Sequence, residues 1–200
     1  MAAGGGVIIV SGLPRSGTSM LMRMLSAGGC PILSDETRRA DADNPNGYFE
    51  CRAVTALARD NSIIDAAQGK AIKIVSPLLL HLPQGPRYRV IFMRRSLSEV
   101  IASQQKMLER NGKSGAEPAD LHRTFTSHLA SIREWLDTRH DITTLFMRHN
   151  DVISAPAEAA VQIAGFLGRD LDLVSMAAAV DRRLYRSTAV VKSTGLDLGV

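Results

Sequence analysis

Residues 7–25 read VIIVSGLPRSGTSMLMRML, and the fold is decided here. Val7 to Val10 is a short, mostly β-branched run that stops abruptly at Ser11-Gly12, the pattern of a buried strand. From Gly17 to Leu25 the pattern turns helical, with Met20, Leu21, Met24 and Leu25 at spacings of three and four, and Gly28-Gly29 ends it. Gly12 and Gly17 stand five residues apart between strand and helix, the spacing of a loop that wraps an anion. Glycine lets the backbone approach phosphate oxygens closely, while free N–H groups and the positive end of the helix dipole supply attraction. Thr18 and Ser19 add hydroxyl donors, and Arg15 adds a permanent guanidinium that forks onto phosphate or sulfonate oxygens. The plainer alternative is an ordinary glycine-containing turn. The coincidence of loop, hydroxyls and arginine argues against it.

Working outward, strands and helices alternate. Pro31 to Gly47 is polar and rich in turn formers, so it reads as a loop over the sheet edge. A helix is predicted over Tyr48 to Ala67, then a strand over Ala71 to Val75 leading into the apolar segment Pro77 to Leu82. Tyr88 to Met93 is the next strand. Ser96 with Glu99 makes a capping box for a helix reaching about Arg110, closed by Asn111-Gly112. Leu121 to Leu136 reads as a helix, Ile142 to Met147 as a strand, and Ala155 to Leu167 as a helix ended by Gly168. The expected fold is α/β: a three-layer arrangement of P-loop type, with a parallel sheet of four to five strands, helices on both faces and ligands at the carboxyl ends of the strands.

The chain has 200 residues, 45% of them hydrophobic, which suits one domain over residues 1–200. A formal charge of +4 favours an anionic ligand without demanding a polyanion, and with aromatics at 4% nothing motivates a nucleic-acid partner. Cys30 and Cys51 make neither a disulfide framework nor a zinc cluster, and the scattered histidines show no metal-ligand spacing, so no metal site is expected. The opening MAAGGGVIIVSG lacks a basic leader, and no stretch approaches membrane-spanning length. A cytoplasmic location and no integral membrane segment are the expectation.

The nucleotide-triphosphatase loop has the form G-x-x-x-x-G-K-[ST], and here Thr18 stands at the lysine position. The usual grip on β- and γ-phosphates is absent, and no acidic strand end follows Tyr88 to Met93 to hold magnesium, which disfavours ATP hydrolysis. A second anion site is suggested by YRVIFMRRSLSEVIASQ, residues 88–104. Arg95 ends its strand and Ser103 follows eight residues later on the helix, so both can face one phosphate monoester.

Together the two segments resemble the sulfotransferases that use 3′-phosphoadenosine 5′-phosphosulfate (PAPS). That family's first loop, P-[KR]-S-G-T-[ST], grips the 5′-phosphosulfate and is matched by Pro14, Arg15, Ser16, Gly17, Thr18 and Ser19. Its second motif, a strand-end arginine and a serine eight residues on, serves the 3′-phosphate and is matched by Arg95 and Ser103; Leu97 stands where the family often has proline. NPNGYFE at residues 44–50 and VISAPAEAAVQIAGFLG at 152–168 are similar to bacterial members, and DRRLYR at 181–186 is similar to the basic segment that closes over the cofactor in relatives, implicating Arg186. The resemblance implies transfer of a sulfuryl group from PAPS, with PAP as product, to a hydroxyl or amine of a small-molecule, lipid or carbohydrate acceptor. The other readings are a kinase or nucleotide hydrolase with an altered loop, and a catalytically silent nucleotide-binding module.

Sulfuryl transfer needs an in-line nucleophile and cations where charge collects. Arg15 stands where many relatives carry a catalytic lysine, and it stabilises charge without giving up a proton. Lys73, at its strand's end, is a candidate to supplement it, its alternative being a solvated strand lysine. Relatives with a histidine base carry it just after that strand, where KIVSPLLL has none; His81 comes too late. Glu36 and Glu50 are therefore the candidate bases, with a surface-loop charge and a helix-start charge as their plainer readings. The segments Pro31 to Gly47 and Asn111 to Asp120 are expected to shape the acceptor pocket.

Overall fold

The computed structural model of the chain describes residues 6–35 and 47–181. Five strands form one parallel sheet: β1 (Val7–Gly12), β2 (Ile32–Leu33), β3 (Ala71–Lys73), β4 (Tyr88–Arg94) and β5 (Ile142–Arg148), in the order β2-β3-β1-β4-β5. The central strand β1 pairs with β3 through Ile8 to Ala71 and with β4 from Val7 opposite Tyr88 to Gly12 opposite Met93. The sheet is the expected α/β arrangement with the upper number of strands.

Alternation along the buried strands divides the core into two layers. Ile8, Val10, Ile91 and Met93 face one layer with α1 (Thr18–Ala27), α7 (Pro156–Leu167) and α8 (Leu173–Ala178). Val7, Ile9, Ile72, Val90 and Phe92 face the other, covered by Leu79 of α3 (Ser76–Leu79) and by Ile132 and Leu136 of α5 (Pro118–Thr138). Helix α4 (Leu97–Arg110) follows β4, and α6 (His149–Ser154) follows β5 without a break. Every β-strand thus ends toward the same edge, and the loops that follow it gather there.

The structure corrects several local readings. Residues 48–67 are not one helix: an extended stretch is followed by a 3-10 turn at Arg52–Ala56 and only one helical turn, α2 (Ile63–Ala66). Phe49 sits at φ 51, the Tyr48 carbonyl is taken by Lys73, and the Asp60 carboxylate accepts from Ser62 N, so the expected helix is diverted at its start and again in its interior by competing bonds. Ser96 caps α4 without a side-chain bond to its backbone; its hydroxyl meets that of Ser98, and Glu99 pairs with Arg95 instead. The charge-assisted bond to arginine displaces the capping box. Strand β2 lies in a segment expected to be all loop, and α8, capped by Asp172 through Val174 N and Ser175 N, had a legible start signal.

Opposite the carboxyl edge of the sheet, Arg139 ties the α5–β5 turn to the chain before β4. Its guanidinium donates to the carbonyls of Leu82 and Pro83, both at 3.0 Å, and to both oxygens of Asp141, and it lies 5.0 Å from the Trp135 ring. Tyr88 donates to the same Pro83 carbonyl at 2.9 Å. Replacing Arg139 by Met leaves the Leu82 carbonyl without its donor and Asp141 without its guanidinium partner, while Tyr88 still serves Pro83, so R139M is expected to lose about 2–4 kcal/mol in chemical denaturation.

Candidate functional site

The loop from Leu13 to Ser16 joins β1 to α1, and the two glycines that flank it have no substitute. At Gly12, φ 147, a Cβ would stand 2.6 Å from both the Met93 carbonyl and Ser16 Oγ. At Gly17, φ 106, it would stand 2.5 Å from His149 Cδ2. Gly12 therefore lets β1 run tight against β4, and Gly17 lets the start of α1 settle on the β5–α6 junction. Arg15, though not glycine, is held at φ 71. That conformation persists because both ends of the residue are tied.

Those ties bring the two anion motifs into one site. Arg15 Nε donates to Ser103 Oγ at 3.0 Å, and Arg95 Nη1 donates to the Arg15 carbonyl at 3.0 Å. Arg95 Nε also bonds Glu99 Oε2 at 2.9 Å, with both side chains largely buried. Arg15, Arg95 and Ser103, predicted from separate segments, are thus neighbours. Ser16 Oγ is buried with no hydrogen-bond partner among the described residues, and the first-turn N–H groups of α1, at Thr18 and Ser19, have no intrahelical acceptor. An orphaned hydroxyl, open N–H groups and two arginines make a donor set that suits an anion with several oxygens.

Lys73 is buried, 6% exposed, so the solvated-lysine reading does not hold. Its ammonium donates to the Tyr48 carbonyl, reaches Glu50 Oε1 at 3.2 Å and Ser19 Oγ at 3.5 Å, and lies 5.8 Å from the Tyr48 ring. Glu50 is consequently not a helix-start charge. Its carboxylate is engaged by Lys73 and its carbonyl accepts from Ser34 Oγ and Asp35 N. Gly47 to Cys51 is thereby laid across the end of β3 beside the loop. Glu36 and Arg186 lie outside the described residues.

Two histidines that sequence reasoning passed over stand at this edge. His149, the first residue of α6, is buried against Gly17; burial chiefly, and then the charge of Arg95, pushes its pKa down to about 4. His128 of α5 meets Ser76, the first residue of α3, with Nε2 2.9 Å from Oγ. No sequence signal links residues 52 positions apart.

The shift at His149 has a sign that can be tested. The unfolded chain protonates this imidazole near pH 6.5 and the folded one near 4, so acid favours unfolding between those values. Relative to H149Q, the wild-type protein is expected to lose about 3 kcal/mol as pH falls from 6.5 to 4, measured by denaturant titration across that range.

A family model for the sulfotransferase domain matches residues 6–193. No curated protein sequence matches the chain. Among solved structures, the sulfotransferase domain from the curacin biosynthetic pathway is 15% identical, with a TM-score of 0.52 over 89% of this chain and 79% of that one. Mouse sulfotransferase SULT7A1, solved in complex with PAP, is 14% identical, with a TM-score of 0.55 over 87% of this chain and 62% of its own. At those identities the two structures carry the fold, and the family rests on the domain model, whose span takes in the glycine loop, Lys73 and the Arg95–Ser103 segment alike: the chain belongs to the sulfotransferase-domain family.

Proposed function

We propose that the protein transfers a sulfuryl group from PAPS to a hydroxyl or amine of a small-molecule, lipid or carbohydrate acceptor, and that residues 1–200 act as one domain. The observation that carries this reading is the pair of bonds uniting the two anion motifs, Arg15 to Ser103 and Arg95 to the Arg15 carbonyl. A donor with a 5′-phosphosulfate and a 3′-phosphate presents two anionic groups on one nucleoside, and the site offers two arginines in contact through one loop. The mouse structure of the same fold holds PAP, which supports the same nucleotide here.

In this reading the N–H groups of Thr18 and Ser19, the Ser16 hydroxyl and Arg15 hold the 5′ group, and Arg95 with Ser103 holds the 3′-phosphate. Charge building on the leaving phosphate meets Arg15, which keeps its proton at any ordinary pH, and Lys73, whose three donors can turn from Tyr48 and Glu50 toward it. Glu99 orients the Arg95 fork. The acceptor enters beside Gly47 to Cys51 and the exposed turn before α5, with Glu36 and Arg186 as further contributors from outside the described residues.

Calorimetry with PAP, adenosine 5′-phosphate and ATP with magnesium tests the donor. PAP is expected to bind without magnesium and well above the other two. R95A removes a charge-assisted hydrogen bond to the 3′-phosphate as well as the bond to the Arg15 carbonyl, and is expected to weaken PAP about 10–100-fold and adenosine 5′-phosphate by less than PAP. A preference for ATP with magnesium would overturn the reading.

A further inference from the structure

Ser76 is fully buried, begins α3 and stands three residues beyond Lys73, a length of chain that spans at most about 11 Å. The Ser76–His128 pair therefore lies near Lys73 at the carboxyl edge of the sheet, where α/β folds take their ligands. His128 is one turn before Ile132, whose side chain is buried in the layer beneath the sheet, so the imidazole is carried on the sheet-facing side of α5. It is half-buried, and Ser76 is its only hydrogen-bond partner among the described residues. The carboxylate of Glu50, by contrast, is engaged by Lys73.

We propose that His128, oriented by Ser76, takes the proton from the acceptor hydroxyl during sulfuryl transfer. The proposal rests on the PAPS reading above. With Nε2–H donating to Ser76 Oγ, Nδ1 carries the lone pair. The acceptor O–H gives its proton to Nδ1, and its oxygen forms the new S–O bond. The S–O bond to the donor's phosphate breaks, its electron pair stays on that phosphate, and PAP leaves. Ser76 is a positioning residue that selects the tautomer. Burial holds His128 below its ordinary range, so it is neutral and able to accept a proton at pH 7. Helix α3 carries no charged residue, while Arg123 on α5 and Lys106, Glu109 and Arg110 on the neighbouring α4 are not among the causes of that shift, which is burial alone.

Three measurements on the full chain test this: nitrogen-15 histidine spectra, PAP calorimetry, and rates with radiolabelled PAPS using phenol and pentanol as probe acceptors. The spectra are expected to show His128 as the Nε2–H tautomer at neutral pH, and S76A to populate both tautomers. H128A is expected to keep PAP affinity within twofold, lose at least about 100-fold in kcat, and lose the rising acid limb of the pH–rate profile, with partial rescue by imidazole. An Nδ1–H tautomer overturns the proposal and needs no acceptor to be seen, so it decides the matter where neither probe turns over. H128A rates within threefold of wild type, with PAP binding intact, overturn the proposal alone. Failure of the wild-type protein to bind PAP overturns the donor reading and this proposal with it.

Discussion

The guanidinium of Arg95 grips the β1–α1 loop by its backbone, and the loop answers through the side chain of Arg15, which closes on Ser103. Much of the site depends on that exchange. It requires β1 and β4 to be adjacent and parallel, in the register that sets Gly12 opposite Met93, because only then does the strand-end arginine arrive level with the loop. It requires a glycine at position 12, where a side chain would push the strands apart. It also holds a non-glycine residue at positive φ, a conformation the backbone adopts only when its surroundings insist. Glu99 completes the arrangement by taking the other side of the guanidinium, which gives a buried cation a partner and a fixed direction.

The parts of this fold legible in the sequence are those with short-range causes. The β-branched run at Val7 to Val10 and the run at Tyr88 to Met93 alternate between two buried faces, and their hydrophobicity leaves little choice but the middle of a parallel sheet. The glycine spacing around Arg15 and the strand-end position of Arg95 likewise follow from local chemistry, and their meeting follows from the sheet order. Helix α5 was legible as an apolar stripe, although its start at Pro118 precedes the stripe.

What escaped the sequence has long-range causes. Helical propensity between Tyr48 and Ala67 is real, but a lysine from β3 takes the carbonyl that the helix would need, and no window of neighbouring residues contains that fact. Two-residue β2 is a strand only because β3 offers it a ladder. The contacts of His128 and His149 depend on which helix turn reaches which strand end, a matter of packing rather than pattern. Glu50 was singled out for its charge, and its surroundings assign that charge a partner.

Lys73 fastens a crossing chain segment to the end of β3, and this has a consequence for how the position can be altered. A lysine whose ammonium is divided among Tyr48, Glu50 and Ser19 is epistatic with all three. Exchange of the lysine alone releases the crossing segment as well as removing a charge, so positions 19, 48, 50 and 73 are coupled in sequence space and are best substituted, grafted or compared as a set.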